Sequence, residues 1–192
     1  MMKKLVVVIL ALFVFNSLNS QSNFKTYTWE QAKNLSPDSV FSISFEKHKL
    51  KSIPNELFNF IYLKKLDLSK NKLESLPKEL SKLTNLEFID IGKNNFITFP
   101  EVICELKNLK ELSLNRNEIT EIPNSIEKLE RLEKIDLWET PLVKFPDAFV
   151  AMKNLKYIDT RGVSHGVKYQ KYWIESLNWI KIEFDAPCNC AN

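Results

Sequence analysis

Apolar residues return along this chain at a constant interval of 23 residues. Between residues 65 and 69 (KLDLS) apolar and polar side chains alternate, and alternation of period two predicts a short strand with one buried face. Two of the recurring apolar columns are Val40, Leu63, Leu86, Leu109, Leu132 and Leu155, and Ile43, Leu66, Ile89, Leu112, Ile135 and Ile158. A repeat of this length predicts a stacked solenoid, in which each unit buries its apolar face against the next.

A proline opens the second half of each copy. The column is Pro54, Pro77, Pro100, Pro123 and Pro146. An acidic residue follows closely in most copies, as at Glu79, and both features suit the first turn of a helix. We therefore expect short helical turns, either α or 3₁₀, with Leu80 and Leu83 facing the core.

An asparagine follows three of the predicted strands, at Asn71, Asn94 and Asn117. Its amide is able to satisfy backbone groups where the chain turns away from the sheet. His48 and Thr140 hold the same place in the first and fifth copies. We therefore interpret His48 as a member of this column rather than as a catalyst.

With these columns in place, the chain resembles leucine-rich repeat proteins of the 23-residue class L-x-x-L-x-L-x-x-N-x-L-x-x-L-P. The second copy, residues 63–77, reads LKKLDLSKNKLESLP, and the resemblance covers residues 40–162. It implies an α/β fold: a right-handed, horseshoe-like solenoid of six repeats, with a parallel sheet on the concave face and short helical turns on the convex face. It also implies a non-catalytic module of exported bacterial type that binds a protein or peptide.

The ends of a solenoid expose apolar surface and need covers. Residues 21–39 are predicted to form an N-terminal cap, with a capping box from Thr28 to Gln31, a short helix to about Leu35, and Phe24 and Trp29 as the cover.

Residues 163–187 are predicted to form a C-terminal cap, because the period fails after Ile158. A helix is expected from about Val167, with Tyr169, Trp173, Leu177 and Ile180 at helical spacing, followed by a last strand through Ile182 and Phe184. Trp173 and Trp179 are expected to pack over the last repeat. His165, in a glycine-flanked loop, is expected to be solvated.

Residues 1–20 combine Lys3 and Lys4 with an apolar run at 5–15, the order of a secretory signal peptide cut near Ser20. An uncleaved anchor is the alternative, although the run is shorter than the ~20 residues of a membrane span. Without those two lysines the formal net charge falls from +3 to +1, which removes the case for a nucleic-acid partner. We expect export to the periplasm, cell surface or medium, with no stable membrane insertion.

No cofactor or metal site is predicted. The tail, residues 188–192, carries Cys188 and Cys190 without a nearby histidine, which falls short of a zinc set. Whether those thiols form a disulfide stays open.

The outward positions of the predicted sheet supply the candidate binding residues. Phe88, Trp138 and Tyr157 are aromatic side chains where the fold asks for none, and such anchors dominate binding energy at interfaces. An acidic column (Ser44, Asp67, Asp90, Ser113, Asp136, Asp159) runs beside a basic one (Lys47, Lys70, Lys93, Arg116, Glu139). The predicted partner-binding residues are the three aromatics together with Asp90, Asp136, Lys93, Arg116 and Arg161.

Three alternatives stay open at this point. The aromatic residues and carboxylates also suit a glycan in a cell-envelope or adhesion role. The rings are also able to pack on their neighbours without binding anything. A hydrolase or transferase would need a site around Asp136, Trp138 and Arg161.

Overall fold

The computed structural model describes residues 24–186, and this part of the chain forms one open parallel sheet of eight strands. The strands, each hydrogen-bonded to the next, are β1 (Tyr27–Thr28), β2 (Ser42–Ser44), β3 (Lys65–Asp67), β4 (Phe88–Asp90), β5 (Glu111–Ser113), β6 (Lys134–Asp136), β7 (Tyr157–Asp159) and β8 (Lys181–Glu183). Ile43 pairs with Leu66, and Leu66 with Ile89, so each column of the sequence is a row across the sheet. The predicted solenoid is confirmed.

The convex face consists of 3₁₀ turns, which settles the question that the sequence left open. They span Pro37–Ser39, Asn55–Asn59, Lys78–Lys82, Glu101–Glu105, Asn124–Lys128 and Asp147–Val150. The last five follow directly after the proline column, whose members are the N-cap residues. Segments this short favour the tighter 3₁₀ geometry. Leu80 and Leu83 are fully buried, as predicted.

The core lies between the sheet and the turns. Both apolar columns named above are fully buried or nearly so, and the largest fully buried side chains of the described residues are Phe45, Phe96, Phe145 and Phe149. Burial of each such side chain contributes roughly 1.5–3 kcal/mol. Because each unit packs only on its neighbours, the stability of the stack accumulates along the chain.

The asparagines form a buried ladder where the strands end. The Oδ1 atom of Asn71 accepts a hydrogen bond from the Leu50 N–H at 3.0 Å, and its Nδ2 donates to the carbonyls of Phe45 and Leu68 at 2.9 and 2.8 Å. Asn94 and Asn117 repeat these contacts one and two units further on.

The two substitutes in this column behave differently. Thr140 is fully buried and keeps one bond, from Oγ1 to the Leu114 carbonyl at 3.1 Å. His48 is exposed, and its Nδ1 donates within its own turn to the Glu46 carbonyl at 2.9 Å. The column is therefore a structural ladder whose first position lies open to solvent.

The N-terminal cover consists of β1 and helix α1 (Trp29–Ala32). Thr28 Oγ1 accepts from the Gln31 N–H, and Gln31 Oε1 accepts from the Thr28 N–H, so the predicted capping box is confirmed. The helix ends at Ala32 rather than near Leu35. The Trp29 ring stacks on Phe45 with centroids 5.1 Å apart, which covers the first repeat as expected.

The C-terminal cover consists of helix α2 (Val167–Ser176) and strand β8. Trp173 is buried, with its ring centroid 5.2 Å from that of Phe145 in the last repeat. The Tyr169 hydroxyl accepts from the Phe145 N–H at 2.9 Å, and burial raises the pKa of Tyr169 to about 12. Trp179 is half-buried, with the Lys153 ammonium 3.4 Å from its ring centroid.

His165 differs from its prediction. Only 7 % of this residue is exposed, and the ring stacks on Tyr169 at 4.6 Å. Its Nε2 lies 3.3 Å from Thr160 Oγ1. The expectation of a solvated histidine was wrong because α2 folds back over the loop. Burial lowers the pKa of His165, and the negative charge of Asp185 opposes this shift.

The predicted signal peptide at 1–20 and tail at 188–192 lie outside the described residues. Within 24–186, no helix combines the length and apolar character needed to cross a bilayer. The regions predicted as caps each add a strand to the sheet, β1 and β8, so the sheet extends beyond the six repeats.

Candidate functional site

Two rows of side chains cross the concave face in register. The mixed row is Ser42, Lys65, Phe88, Glu111, Lys134, Tyr157 and Lys181, and the acidic row is Ser44, Asp67, Asp90, Ser113, Asp136, Asp159 and Glu183. The sequence columns missed Lys181 and Glu183, because Tyr157 pairs with a residue 24 positions later rather than 23.

The two rows enclose a depression of about 240 Å³ in the middle of the sheet. We call it the concave depression; its lining residues are Phe88, Asp90, Glu111, Leu112, Ser113, Asn115, Lys134, Asp136, Tyr157 and Asp159. Four predicted site residues therefore share one surface: Phe88, Asp90, Asp136 and Tyr157. A larger depression of about 440 Å³ lies at the N-terminal cap, between Trp29, Lys33 and Phe60, and contains none of the predicted site residues.

The acidic row closes the turn that follows five of the strands, β2, β3, β4, β6 and β7. Asp90 Oδ1 accepts from the Gly92 N–H at 2.7 Å, and Asp136 Oδ1 accepts from the Trp138 N–H at 3.0 Å. Ser44 makes the equivalent contact through its hydroxyl oxygen, which accepts from the Glu46 N–H at 3.1 Å. The sequence showed the acidic column but not this reason for it, a side chain that holds the backbone two residues on.

The electrostatics of the acidic row differ along its length. At the C-terminal end, Arg161 pairs with Asp159 at 2.6 Å and Lys181 pairs with Glu183. In residues 24–186, Asp90 and Asp136 form no ion pair within 4.0 Å. Burial raises the pKa of Asp90; the bond from Gly92 opposes this shift, and the neighbouring carboxylates of Asp67 and Asp136 add to it.

Each predicted aromatic is half-buried and has a cation near its ring. Lys65 Nζ lies 4.7 Å from the Phe88 centroid, in register on the adjacent strand. Tyr157 lies between Lys134 and Lys181, at 5.5 and 5.6 Å.

Trp138 and Arg116 form a separate group on the loop side of the depression. The Arg116 guanidinium carbon lies 4.1 Å from the Trp138 centroid, and Arg116 Nε donates to Glu139 Oε2. These two predicted site residues contact each other rather than the concave depression. The predicted site therefore divides in two.

The basic column occupies an unusual backbone position. Lys47, Lys70, Lys93, Arg116 and Glu139 all have positive φ, between 50° and 61°, and Gly162 continues the series at 87°. Side chains other than glycine adopt this region uncommonly. This backbone conformation was not predictable from the column of residues, because glycine holds the place only in the last copy. Lys93 thus lies at the loop edge of the concave face rather than in the depression.

The Arg161 side chain is hydrogen-bonded to the neighbouring Asp159. Its Nε donates to Asp159 Oδ1 at 3.0 Å and its Nη2 to Oδ2 at 2.6 Å. Burial alone would raise the pKa of Asp159, but these bonds outweigh it and lower that pKa, while the pKa of Arg161 rises. The cation predicted for a partner is engaged within the chain.

A family model for leucine-rich repeats matches the chain in two copies, over residues 63–103 and 107–148. This chain is a leucine-rich repeat protein. Leucine-rich repeats generally mediate protein–protein interaction and are typically non-catalytic binding scaffolds. A search of curated proteins found no match to the chain.

The three residues considered for catalysis enter separate contacts in this leucine-rich repeat protein. Asp136 Oδ2 accepts from Ser113 Oγ and Asn115 Nδ2, the Trp138 ring lies against Arg116, and the Arg161 guanidinium lies on Asp159. Within the described range, no three His, Cys, Asp or Glu side chains are grouped as a metal ion would need.

Proposed function

We propose that this protein is a non-catalytic binding module that holds a protein or peptide partner on its concave face. The observation that carries the proposal is the concave depression, in which Phe88 and Tyr157 flank Asp90 and Asp136. Half-buried rings provide large apolar contact area at little entropic cost, and charged rows give the contact a direction.

The two parts of the predicted site would act differently. Phe88 and Tyr157 anchor the partner within the depression. Trp138, on the loop side with Arg116, extends the contact toward the edge where Lys93 lies. Arg161 supports Asp159 and contributes less to the partner, because its charge is already neutralised.

A glycan ligand is the second candidate, since Tyr157 and Asp159 lie in one lining. A sugar stacks on an open ring face, whereas each ring here has a Lys or Arg side chain near it, which favours a protein partner. A glycan array distinguishes the two candidates. Specific binding to a glycan, together with no protein partner captured by crosslinking, would favour the glycan ligand.

We further infer that residues 1–20 direct export and that the binding module works outside the cytoplasm. N-terminal sequencing of the protein recovered from its own cells tests this. A mature start near Gln21 supports export, and an intact Met1 in the membrane fraction supports an uncleaved anchor instead.

Site-specific photo-crosslinking tests the binding face. A benzoylphenylalanine residue is placed at Lys134, on the concave face, or at Lys82, which is exposed on the convex face. In native cells we expect a discrete protein adduct from position 134 and none from position 82. Equal adducts from both positions, or adducts from 82 alone, would contradict the concave-face proposal.

The double substitution Phe88→Ala with Trp138→Ala, in the protein labelled at 134, tests the anchors. We expect the adduct yield to fall about tenfold, as loss of about 1.4 kcal/mol of binding energy predicts, without a lower melting temperature. The matched control is Ile97→Ala, because Ile97 is 70 % exposed outside the concave depression. An unchanged yield in the double variant would remove the aromatic anchors from the proposal.

A further inference from the structure

Several charged residues that directly precede the strands of the sheet are paired between adjacent repeats. Lys64 and Lys110 flank Glu87 at 3.1 and 2.7 Å, and Lys156 pairs with Glu133 at 2.7 Å. The acidic row departs from this arrangement, because it places carboxylates of like charge on neighbouring strands.

The departure is greatest beside the concave depression. Asp67 and Asp90 pair in register, and neither they nor Asp136 form an ion pair within 4.0 Å in the part of the chain that the structure describes. Strands lie about 4.8 Å apart, so like charges in register repel one another. A positively charged group would relieve this repulsion.

Ser113 leaves space for such a group. It occupies the place in the acidic row between Asp90 and Asp136, which are therefore two strands apart. At about 4.8 Å per strand, the gap between the two aspartates is about 10 Å, with a small, buried hydroxyl at its centre. A charged group above Ser113 would lie within reach of both carboxylates.

The neighbouring side chains hold Asp136 in place. Asn115 Nδ2 donates to Ser113 Oγ and to Asp136 Oδ2, both at 2.7 Å. Asn115 lies across Gly92, where an added Cβ would come within 2.7 Å of its amide oxygen. The absence of a side chain at Gly92 therefore lets the amide fix one carboxylate before any partner arrives.

From this charge complementarity, we propose that the concave depression receives a Lys or Arg side chain of the protein partner, seated above Ser113 between Asp90 and Asp136. Phe88, on the strand next to Ser113, contacts the aliphatic part of that side chain, and Tyr157, two strands further on, contacts the neighbouring part of the partner. This inference rests on the proposed function and adds the chemistry of the partner. The partner is a protein segment with a basic residue at its centre.

A random dodecapeptide array, probed with the fluorescently labelled protein, tests the proposal. We expect bound peptides to be enriched in Arg or Lys, and Asp90→Asn or Asp136→Asn to reduce their signal at least tenfold. Asp147→Asn is the control: its carboxylate is exposed in the convex turn Asp147–Val150 and does not line the depression. Its signal is expected to stay within twofold of the unsubstituted protein.

A second measurement leaves the protein unchanged. In the best bound peptide, replacement of the basic residue by norleucine keeps the aliphatic chain and removes the charge. We expect at least tenfold weaker binding, and equal binding would overturn the proposal even if the aspartate variants fold poorly.

The outcomes separate this inference from the proposed function. The bound peptides are able to show no enrichment in Lys or Arg, or an enrichment in Asp or Glu, and still lose binding to the Phe88→Ala variant. That result overturns the site for a basic side chain but supports the concave binding module. If no bound peptide responds to Phe88→Ala, both ideas fail.

Discussion

The guanidinium of Arg161 lies on the carboxylate of Asp159 through two hydrogen bonds of 3.0 and 2.6 Å. This pair neutralises one end of the acidic row. Asp90 and Asp136, nearer the middle of the sheet, line the concave depression and form no ion pair within 4.0 Å in residues 24–186.

Arg161→Gln is expected to raise the pKa of Asp159, because burial then acts without the bonds that now outweigh it. In the native protein, the lowered pKa of Asp159 stabilises the fold at pH values above 3.8, the ordinary pKa of an aspartate. This contribution is lost as the pH falls through the pKa of Asp159 in the folded protein. The variant should therefore be less stable than the native protein at neutral pH and equally stable in strong acid. Denaturant titrations at several pH values measure this, and a difference independent of pH would contradict it.

Gly92→Ala should impair binding far more than it impairs folding. The new Cβ would meet only the flexible end of Asn115, which moves at little cost, so stability should change by less than about 0.5 kcal/mol. Displacement of Asn115 frees Asp136, and binding of basic peptides should weaken about tenfold. Peptide titration and thermal melting together test this.

Gly162→Ala is the contrasting variant. Its φ is +87°, and a Cβ would overlap Glu139 Cγ and come within 2.9 Å of the Glu139 backbone nitrogen. We expect destabilisation of about 1–3 kcal/mol. If both glycine variants melt alike, the different roles assigned to the two glycines are wrong.

Asn94→Ala should destabilise the solenoid by about 1–3 kcal/mol, because it leaves the buried Leu73 N–H without an acceptor and removes one of the two asparagine donors from the carbonyls of Leu68 and Ile91. Asn85→Ala is the control. Asn85 is exposed and donates one hydrogen bond, to the Ile61 carbonyl at 2.8 Å. Its loss should lower the free energy of unfolding by about 0.5 kcal/mol or less. Urea denaturation measures both.

Acid should loosen the C-terminal cap before the repeats. The pKa of buried His165 lies below 6.5, so an opened cap takes up a proton that the closed cap excludes. Stability of the cap therefore falls as the pH drops below 6.5 toward the folded pKa. Fluorescence of Trp173 and Trp179 should report this, and His165→Gln should flatten the response. His48→Gln, at the exposed first ladder position, is the control and should leave the response unchanged.

The sequence predicted the fold well because the features that define it repeat. Columns such as the one containing Leu66 and the ladder containing Asn71 identify the strands, their order and their register. Prediction failed for contacts that occur only once in the chain and therefore have no repeated pattern. The burial of His165 depends on α2 folding back, and the place of Lys181 in the mixed row depends on a 24-residue step.

The candidate site was predicted only in part. Outward position along the strands identified Phe88, Asp90, Asp136 and Tyr157, which line one depression. It did not predict that Arg161 would be held by Asp159, or that Trp138 would lie on Arg116 outside that depression. Such contacts depend on side-chain direction, which a column of letters does not contain.

Ser44 makes the same turn contact through a hydroxyl that Asp90 and Asp136 make through a carboxylate. Either residue type therefore satisfies the backbone at a strand end, while only one of them carries charge. Exchange of Asp and Ser at these positions during evolution would change the charge pattern of the concave face, and so its choice of partner, while the fold stays the same.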